Sequence, residues 1–184
     1  RWADTSEYFI NGMGTGIDVE VVRQIARLPR MRGVAGYLVG VLRALRVFEP
    51  IGARLVVDGV ERSGRVMIIA LGNGVSQGGG FYLTPGASAD DGRLDLCVIS
   101  EMRMGRILRT LPRLLRGSHT GMAGVDTTQF RRLEIETDEP LFFQLDGELR
   151  EPPGMHRLEV EVIPGALRVA VHTAPSALPM AESA

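Results

Sequence analysis

The sequence contains no lysine, since all 21 of its basic side chains are arginine. This absence excludes a Schiff-base amine and the lysine of a phosphate-binding P-loop. The single cysteine, Cys97, cannot form an internal disulfide, and its apolar neighbours LDLCVIS predict a small buried side chain. Two common classes of hydrolase are also disfavoured, because neither Gly-x-Ser-x-Gly nor His-Glu-x-x-His occurs.

Long apolar runs are missing as well. No run approaches the roughly 18 residues that span a bilayer, and the start carries no secretory signal pattern, so we expect a cytoplasmic protein. The 22 acidic residues balance the 21 basic ones, which predicts no nucleic-acid partner drawn by a global field. Three scattered histidines, His119, His156 and His172, lack the spacing of metal ligands and are interpreted as structural or exposed.

What is present suits one domain. The 184 residues are enough for a single hydrophobic core. We predict a domain over residues 1–172 and a flexible tail over 173–184, which holds two prolines and no apolar period. The chain begins at Arg1 and reaches strand-like sequence by Tyr8, which suggests a piece of a longer protein.

The apolar spacing predicts an α+β fold. Helical periods indicate a first helix capped by Asp18 and ended by Pro29, a second over Val34–Phe48, and a third within Ser100–Gly117 that is kinked or broken at Pro112. Short β-branched runs between glycine turns predict antiparallel strands. These are Glu7–Ile10, Ala53–Val60, Arg65–Leu71, Phe81–Thr84, Leu94–Ile99, Phe130–Thr137, Leu141–Leu145, Arg157–Ile163 and Ala166–Val171. The expected architecture is a mainly antiparallel β-sandwich, or a partly closed barrel, with two or three helices.

The glycine-rich segment NGMGTG, residues 11–16, permits two interpretations. Glycines at this density could cradle a phosphate, although G-x-G-x-G lacks the spacing of the dinucleotide fingerprint. Close packing of the backbone against a neighbour is the alternative, and we favour it because glycine carries no Cβ.

Two acidic turns are candidate sites. In ASADDGRLD, Asp90, Asp91 and Asp95 crowd a turn that could direct oxygen ligands at Mg²⁺ or Ca²⁺, while a plain Asp-Gly hairpin is the alternative. In LDGE, Gly147 could bring Asp146 and Glu148 onto one small volume, where either carboxylate could accept a proton or support a metal-bound phosphate. A hairpin turn is again the alternative.

A basic stripe marks the third predicted helix. Arg106, Arg109, Arg113 and Arg116 follow one another at steps of three, four and three residues, which places them on one helical face beside an apolar one. Such a helix suits the surface of an anionic membrane. A solvated outer face on a core-packing helix is the alternative.

Taken together, the ordered segments carry a family resemblance. FINGMGTGIDVEVV, LGNGVSQGGGFYLTPGASADDGRLDLCVI, RGSH and QLDGE resemble the C-terminal domain of the diacylglycerol kinase and sphingosine kinase superfamily, closest to the bacterial diacylglycerol kinase-like lipid kinases. The resemblance runs from about Tyr8 to Val171. The NAD kinases share the broader architecture, but the DDG-x-LD turn and the later DGE look more like the lipid branch.

The resemblance implies half of an active site. Full-length family members join an α/β nucleotide domain with a GGDGT motif to a β-sandwich domain, and this chain contains no GGDGT. ATP and most Mg²⁺ contacts would therefore come from another portion, and the chain alone is expected to be inactive. The resemblance assigns Glu148 as proton acceptor for the lipid hydroxyl, with Asp146 orienting beside it, although the two roles could be exchanged. It places a structural Mg²⁺ ion on Ser88, Asp91 and Arg93, the last through its backbone carbonyl.

The implied substrate is diacylglycerol or a related membrane lipid alcohol, with ATP as phosphate donor. Its chains need an apolar pocket, for which Phe142, Phe143, the helix Val34–Phe48 and the strand Val66–Leu71 are candidates, although core packing explains the same residues. Peripheral contact with the inner face of the membrane and a homodimer are further expectations. The alternative function is a non-catalytic lipid- or membrane-binding module.

Overall fold

The computed structural model describes residues 5–27, 33–77 and 80–170. Gly78, Gly79, the predicted helix end at Pro29 and the predicted tail 173–184 lie outside these ranges. Within them the chain forms three helices, α1 (Ile17–Ala26), α2 (Gly33–Val47) and α3 (Met104–Leu114). Nine strands accompany them: β1 (Gly12–Gly16), β2 (Ile51–Val57), β3 (Val60–Gly72), β4 (Leu94–Ser100), β5 (Val125–Phe130), β6 (Arg132–Thr137), β7 (Phe143–Leu145), β8 (Glu148–Arg150) and β9 (Arg157–Glu161). The predicted α+β class is confirmed.

The long strand β3 is the centre of the sheet. Its first half pairs with β2, and its second half pairs with β1 on one edge and β4 on the other. The full order is β8-β7-β1-β3-β2-β6-β9, with β4 beside β3 and β5 beside β4, and every pairing is antiparallel. The sheet curls into a half-barrel, in agreement with the predicted partly closed barrel.

The core lies on both faces of the second half of β3. Val66, Ile69 and Leu71 face the interior of the curled sheet, whereas Ile68 and Ala70 face the side that α3 covers. A register shift between Val66 and Ile68 moves the strand from one alternation to the other. Because both faces are covered, this half of the strand reads as one continuous apolar run.

Several predicted boundaries are wrong. Residues 7–10 precede the first strand, which is the glycine run Gly12–Gly16 itself. Residues 81–84 form no strand, since Phe81 makes only an isolated bridge to Gln77. The predicted strand Ala53–Val60 is interrupted by the Asp58-Gly59 turn, and β3 begins at Val60 rather than at Arg65. The predicted strand Phe130–Thr137 is divided between β5 and β6, and residues 166–170 are not in a strand.

The three glycines of β1 are explained by close packing. A Cβ on Gly12 would collide with the Gln77 side chain, and one on Gly14 would collide with the Asp18 carboxylate. At Gly16 it would meet the backbone carbonyl of Met67, and φ is +79°. The packing interpretation is therefore confirmed, and the segment is a strand between β3 and β7 rather than a loop around a phosphate.

No helix in the described ranges is long and apolar enough to cross a bilayer. Cys97 is fully buried and free, as predicted, and burial, followed by the nearby Asp126 charge, raises the pKa of its thiol to about 12. The buried His119 lies beside it, with its Nε2 3.2 Å from the Leu83 carbonyl oxygen and 3.7 Å from the cysteine sulfur. The interpretation of His119 as structural is confirmed by these contacts.

We expect His119 to make stability depend on pH. Burial lowers its pKa below the usual 6.5, against an opposing hydrogen bond to the Leu83 carbonyl oxygen, which raises it. As the pH falls below 6.5, the unfolded chain takes up a proton that the folded chain refuses, so stability falls until the folded-state pKa is reached. The free energy of unfolding, measured by urea denaturation between about pH 5 and 7.5, should therefore change less with pH in His119→Gln than in the unmodified chain. Equal slopes in both proteins would assign the dependence elsewhere.

Candidate active site

The Asp146-Gly147 pair forms a two-residue hairpin loop between β7 and β8. Both residues have positive φ, 50° at Asp146 and 93° at Gly147, and Leu145 pairs with Glu148 across the loop. Positive φ at both central positions is typical of a type I′ turn, which the twist of the flanking strands favours. The hairpin interpretation of LDGE is thus confirmed for the backbone, and it fixes where the two carboxylates point.

Asp146 turns toward the segment that leads into β1. Its Oδ1 accepts hydrogen bonds from the backbone N–H groups of Asn11 at 2.9 Å and Gly12 at 2.8 Å. Its Oδ2 accepts from the N–H of Ile10 at 2.8 Å. Both oxygens are therefore engaged in holding the chain before β1 against the hairpin. Asp146 is thus not available as a free carboxylate beside Glu148.

Glu148 is the accessible carboxylate of the pair. Its side chain is 76% exposed, and its Oε2 accepts a hydrogen bond from the Arg150 guanidinium at 3.1 Å. Arg150 also donates to Glu7 at 2.7 Å. The hydrogen bond to Glu7, which has the larger effect, and the one to Glu148 both raise the pKa of the Arg150 guanidinium. Glu148 Oε1 has no hydrogen-bond partner in the described ranges. An exposed carboxylate oxygen beside a fixed cation is able to accept a proton from a bound hydroxyl.

An apolar cavity lies between the helices and the sheet. Its volume is about 80 Å³, which is smaller than the roughly 300–1,000 Å³ of usual small-molecule sites, so a bulky ligand requires the walls to move apart. Asp18 is the one charged residue that lines it in the described part of the chain. The apolar walls come from α1, α2, α3, β3 and the segment after β3, and include Ile17, Val41, Met67, Phe81, Ile107 and Leu111.

The cavity departs from the predicted pocket in one respect. The predicted helix and strand contribute through α2 and β3, but Phe142 and Phe143 do not line it. Phe143 is fully buried inside the curled sheet, and the ring of Phe142 lies under the Arg23 guanidinium at 5.0 Å. These side chains alternate along β7 and its approach, so they face opposite sides of the sheet, and neither of them lines the cavity.

A single amide connects the cavity with the carboxylate turn. Gln144 donates from Nε2 to the Asp18 carboxylate at 2.9 Å, and its Oε1 accepts from the backbone N–H of Gly147 at 2.7 Å. Asp18 is 5% exposed and lies in the first turn of α1, so the predicted N-cap role is wrong; Gly16 occupies that position without a side-chain cap. Sequence reasoning missed Asp18 and Gln144 as site residues. The available signal was a carboxylate placed two residues after a glycine-rich strand and before an apolar helical face.

The acidic turn is less assembled than its sequence suggests. Asp91 Oδ1 accepts from the Arg93 backbone N–H at 2.8 Å, and Oδ2 accepts from the Gln129 amide at 3.0 Å. The same amide lies 3.2 Å from Asp95 Oδ2, while the Ser88 hydroxyl donates to Asp90 rather than to Asp91. Within the described ranges no three His, Cys, Asp or Glu side chains gather as metal ligands.

The donor chemistry of this turn still suits a hard cation. Burial, with a smaller contribution from the Asp91 charge, raises the pKa of Asp95, against a hydrogen bond from Gln129 that lowers it. Two carboxylates close enough to interact are stabilised by a positive charge between or beside them. The residues predicted for Mg²⁺ therefore fit in ligand type, with Asp91 as the charged member of the set.

The chain is similar to several known proteins over most of its length. The model of the YegS C-terminal NAD kinase beta sandwich-like domain matches residues 11–171. A Stenotrophomonas maltophilia protein named "Probable lipid kinase YegS-like" is 34% identical over 160 residues, which are 86% of this chain and 50% of that protein. A "Diacylglycerol kinase" of Mycobacterium tuberculosis is 29% identical over 164 residues, 89% of this chain and 52% of that protein.

The solved structures agree on the fold. A diacylglycerol kinase from Bacillus anthracis superposes with a TM-score of 0.57 at 22% identity, covering 83% of this chain and 50% of that one. The chain thus spans about half the length of the curated relatives that it matches. Because the family model covers most of the sequence, the chain belongs to the family of YegS C-terminal NAD kinase beta sandwich-like domains.

Proposed function

We propose that this domain is the lipid-binding half of an ATP-dependent lipid kinase that phosphorylates the hydroxyl of diacylglycerol or a related lipid alcohol. The observation that carries the proposal is the Gln144 amide, which joins Asp18, a charged residue that lines the apolar cavity, to the turn that bears Glu148. A lipid alcohol needs such a pair of environments, one for its chains and one for its hydroxyl. The names of the lipid kinase relatives support the same reaction class.

The lipid chains enter the cavity between α1, α2 and α3, which widens to take them, and they replace water against its apolar walls. The hydroxyl then lies near the polar end of the cavity, toward the β7–β8 hairpin. Asp18 is already engaged by Gln144, so we assign it to positioning rather than to proton transfer. Asp146 is likewise a positioning residue, because its two oxygens hold the backbone before β1.

In the reaction Glu148 accepts the hydroxyl proton as the lipid oxygen bonds to the γ-phosphorus of ATP. The bond from that phosphorus to the bridging oxygen breaks, and ADP leaves with the electron pair. Phosphoryl transfer depends chiefly on alignment and on neutralising charge. Mg²⁺ held in the nucleotide-binding half would supply that neutralisation, whereas a structural Mg²⁺ ion would be held in this half by Asp91, with oxygens of Ser88 and Arg93. ATP contacts belong to the nucleotide-binding half.

Filling the cavity should prevent lipid binding. Ile107 lines it from α3, so the indole of Ile107→Trp would occupy space meant for an acyl chain. We expect the affinity for a diacylglycerol with a fluorescent acyl chain to fall about tenfold or more, since a few lost methylene contacts cost about 1–3 kcal/mol. Fluorescence titration of the chain measures this directly.

The matched control is Ile163→Trp, the same substitution at a site that is 57% exposed and outside the cavity. It should bind the probe as the unmodified chain does. Equal affinities for all three proteins would remove the cavity from the proposal and favour a module that contacts lipid only at its surface.

A further inference from the structure

The outer side of α3 is strongly cationic. Arg106, Arg109 and Arg113 fall within an arc of about 60° at 3.6 residues per turn, and all three are exposed. Arg103 and Arg116, at the two ends of the helix, are exposed as well. Together with two apolar neighbours they form what we call the α3 basic surface, which consists of Arg103, Met104, Arg106, Leu108, Arg109, Arg113 and Arg116.

These arginines lack acidic partners. Between Met102 and Val125 the sequence contains no aspartate or glutamate, although the whole chain has a formal net charge of −1. None of the five forms an ion pair with a described residue, whereas Arg54 and Arg157 on the sheet each pair with two glutamates. The α3 basic surface is therefore a local concentration of positive charge that the described part of the domain does not neutralise.

The apolar part of the surface separates it from an ordinary solvated face. Met104 and Leu108 lie one turn apart and are 48% and 49% exposed. They occupy the strip between the arginines and the inner face of the helix, where Thr110 and Leu114 are buried. Exposing methionine and leucine to water is unfavourable, whereas the boundary of a lipid layer accommodates apolar side chains and arginines together.

We propose that the α3 basic surface docks the domain on an anionic lipid bilayer. Met104 and Leu108 enter the level of the headgroups, and the arginines bind lipid phosphates while their stems lie along the apolar layer. A nucleic acid could bind the arginines through its phosphates, but it offers no apolar layer for Met104 and Leu108. Since the inner side of α3 lines the cavity through Ile107 and Leu111, docking places the cavity beside the membrane. Docking requires neither ATP nor catalysis.

The test is sedimentation of the full chain with vesicles of phosphatidylglycerol and phosphatidylcholine, compared with phosphatidylcholine alone. Each arginine near an anionic surface contributes about fivefold, so the triple substitution Arg106→Gln, Arg109→Gln and Arg113→Gln should weaken binding roughly 100-fold. The unmodified chain should also be released steeply by salt. A second variant, Met104→Ser with Leu108→Ser, should weaken binding while leaving the dependence on salt unchanged.

The control carries the same charge change elsewhere, in Arg131→Gln, Arg132→Gln and Arg168→Gln, and should bind as the unmodified chain does. Three results would overturn the inference: equal sedimentation with both vesicle types, equal losses in the test and control triples, or tighter binding to single-stranded RNA than to anionic vesicles. The readout contains no phosphoryl transfer, so a failure of the kinase proposal leaves vesicle binding intact, and a failure of docking leaves lipid-probe binding in the cavity intact.

Discussion

Replacing Glu148 with glutamine in a protein that joins this domain to a nucleotide-binding half is expected to lower phosphoryl transfer by about 10²–10⁴-fold. Glutamine keeps the size of the side chain and can still meet Arg150, but it cannot accept a proton at neutral pH. Because Glu148 is 76% exposed, the substitution should leave folding and lipid-probe binding nearly unchanged. Initial rates of labelled phosphate transfer from ATP to diacylglycerol measure the loss.

The matched comparison is Asp146→Asn. Asparagine tolerates the positive φ of this position and keeps one oxygen acceptor, so we expect a lower melting temperature and a smaller effect on turnover. Near-normal turnover in Glu148→Gln would refute the proton-acceptor assignment. If Asp146→Asn instead abolished turnover with an unchanged melting temperature, the proton would have to be assigned to Asp146.

Gly16→Ala is expected to lower the free energy of unfolding by about 3 kcal/mol or more. The added Cβ would meet the backbone carbonyl of Met67, which cannot move without disturbing β3, and φ is +79°. Gly16 also fixes the path from β1 into α1 and hence the positions of Ile17 and Asp18 in the cavity. Urea denaturation of the chain measures the change.

Gly64→Ala is the control for this substitution. Gly64 also lies in a strand, but a Cβ there meets nothing within 4 Å and its φ is not in the left-handed region. Its stability should change by no more than about 0.5–1 kcal/mol, in the stabilising direction if at all. Similar losses in both variants would show that the cost comes from the general loss of glycine rather than from the contact with Met67.

The sequence predicted the element types better than their boundaries. The apolar period of α2 is regular, so its predicted and observed limits differ by one residue at each end. β1 was missed because strand propensity argues against glycine, whereas tertiary packing beside Gln77, Asp18 and Met67 requires it. The predicted start at Arg65 was too late for the opposite reason, because a glycine next to a serine is typical of a turn, whereas Gly64 lies inside the exposed half of β3.

The candidate site was predictable only in its local part. The Asp-Gly turn before Glu148 is a short-range hairpin signal that the structure bears out. The partners of Asp146 are more than 130 positions away in the sequence, and Asp18 and Gln144 are separated by 126. No period or spacing encodes such contacts, because they depend on β1 pairing with β7.

The central claim is that this domain presents a lipid hydroxyl to Glu148 for phosphorylation. The most direct measurement is transfer of labelled γ-phosphate from ATP to dispersed diacylglycerol, comparing the chain alone with a protein that joins it to a GGDGT-bearing nucleotide domain. The account predicts a phosphorylated lipid from the joined protein, none from the chain alone, and a strong loss in joined Ile107→Trp. A folded joined protein that binds ATP and lipid yet yields no phosphorylated lipid, or a chain that phosphorylates lipid alone, would contradict it.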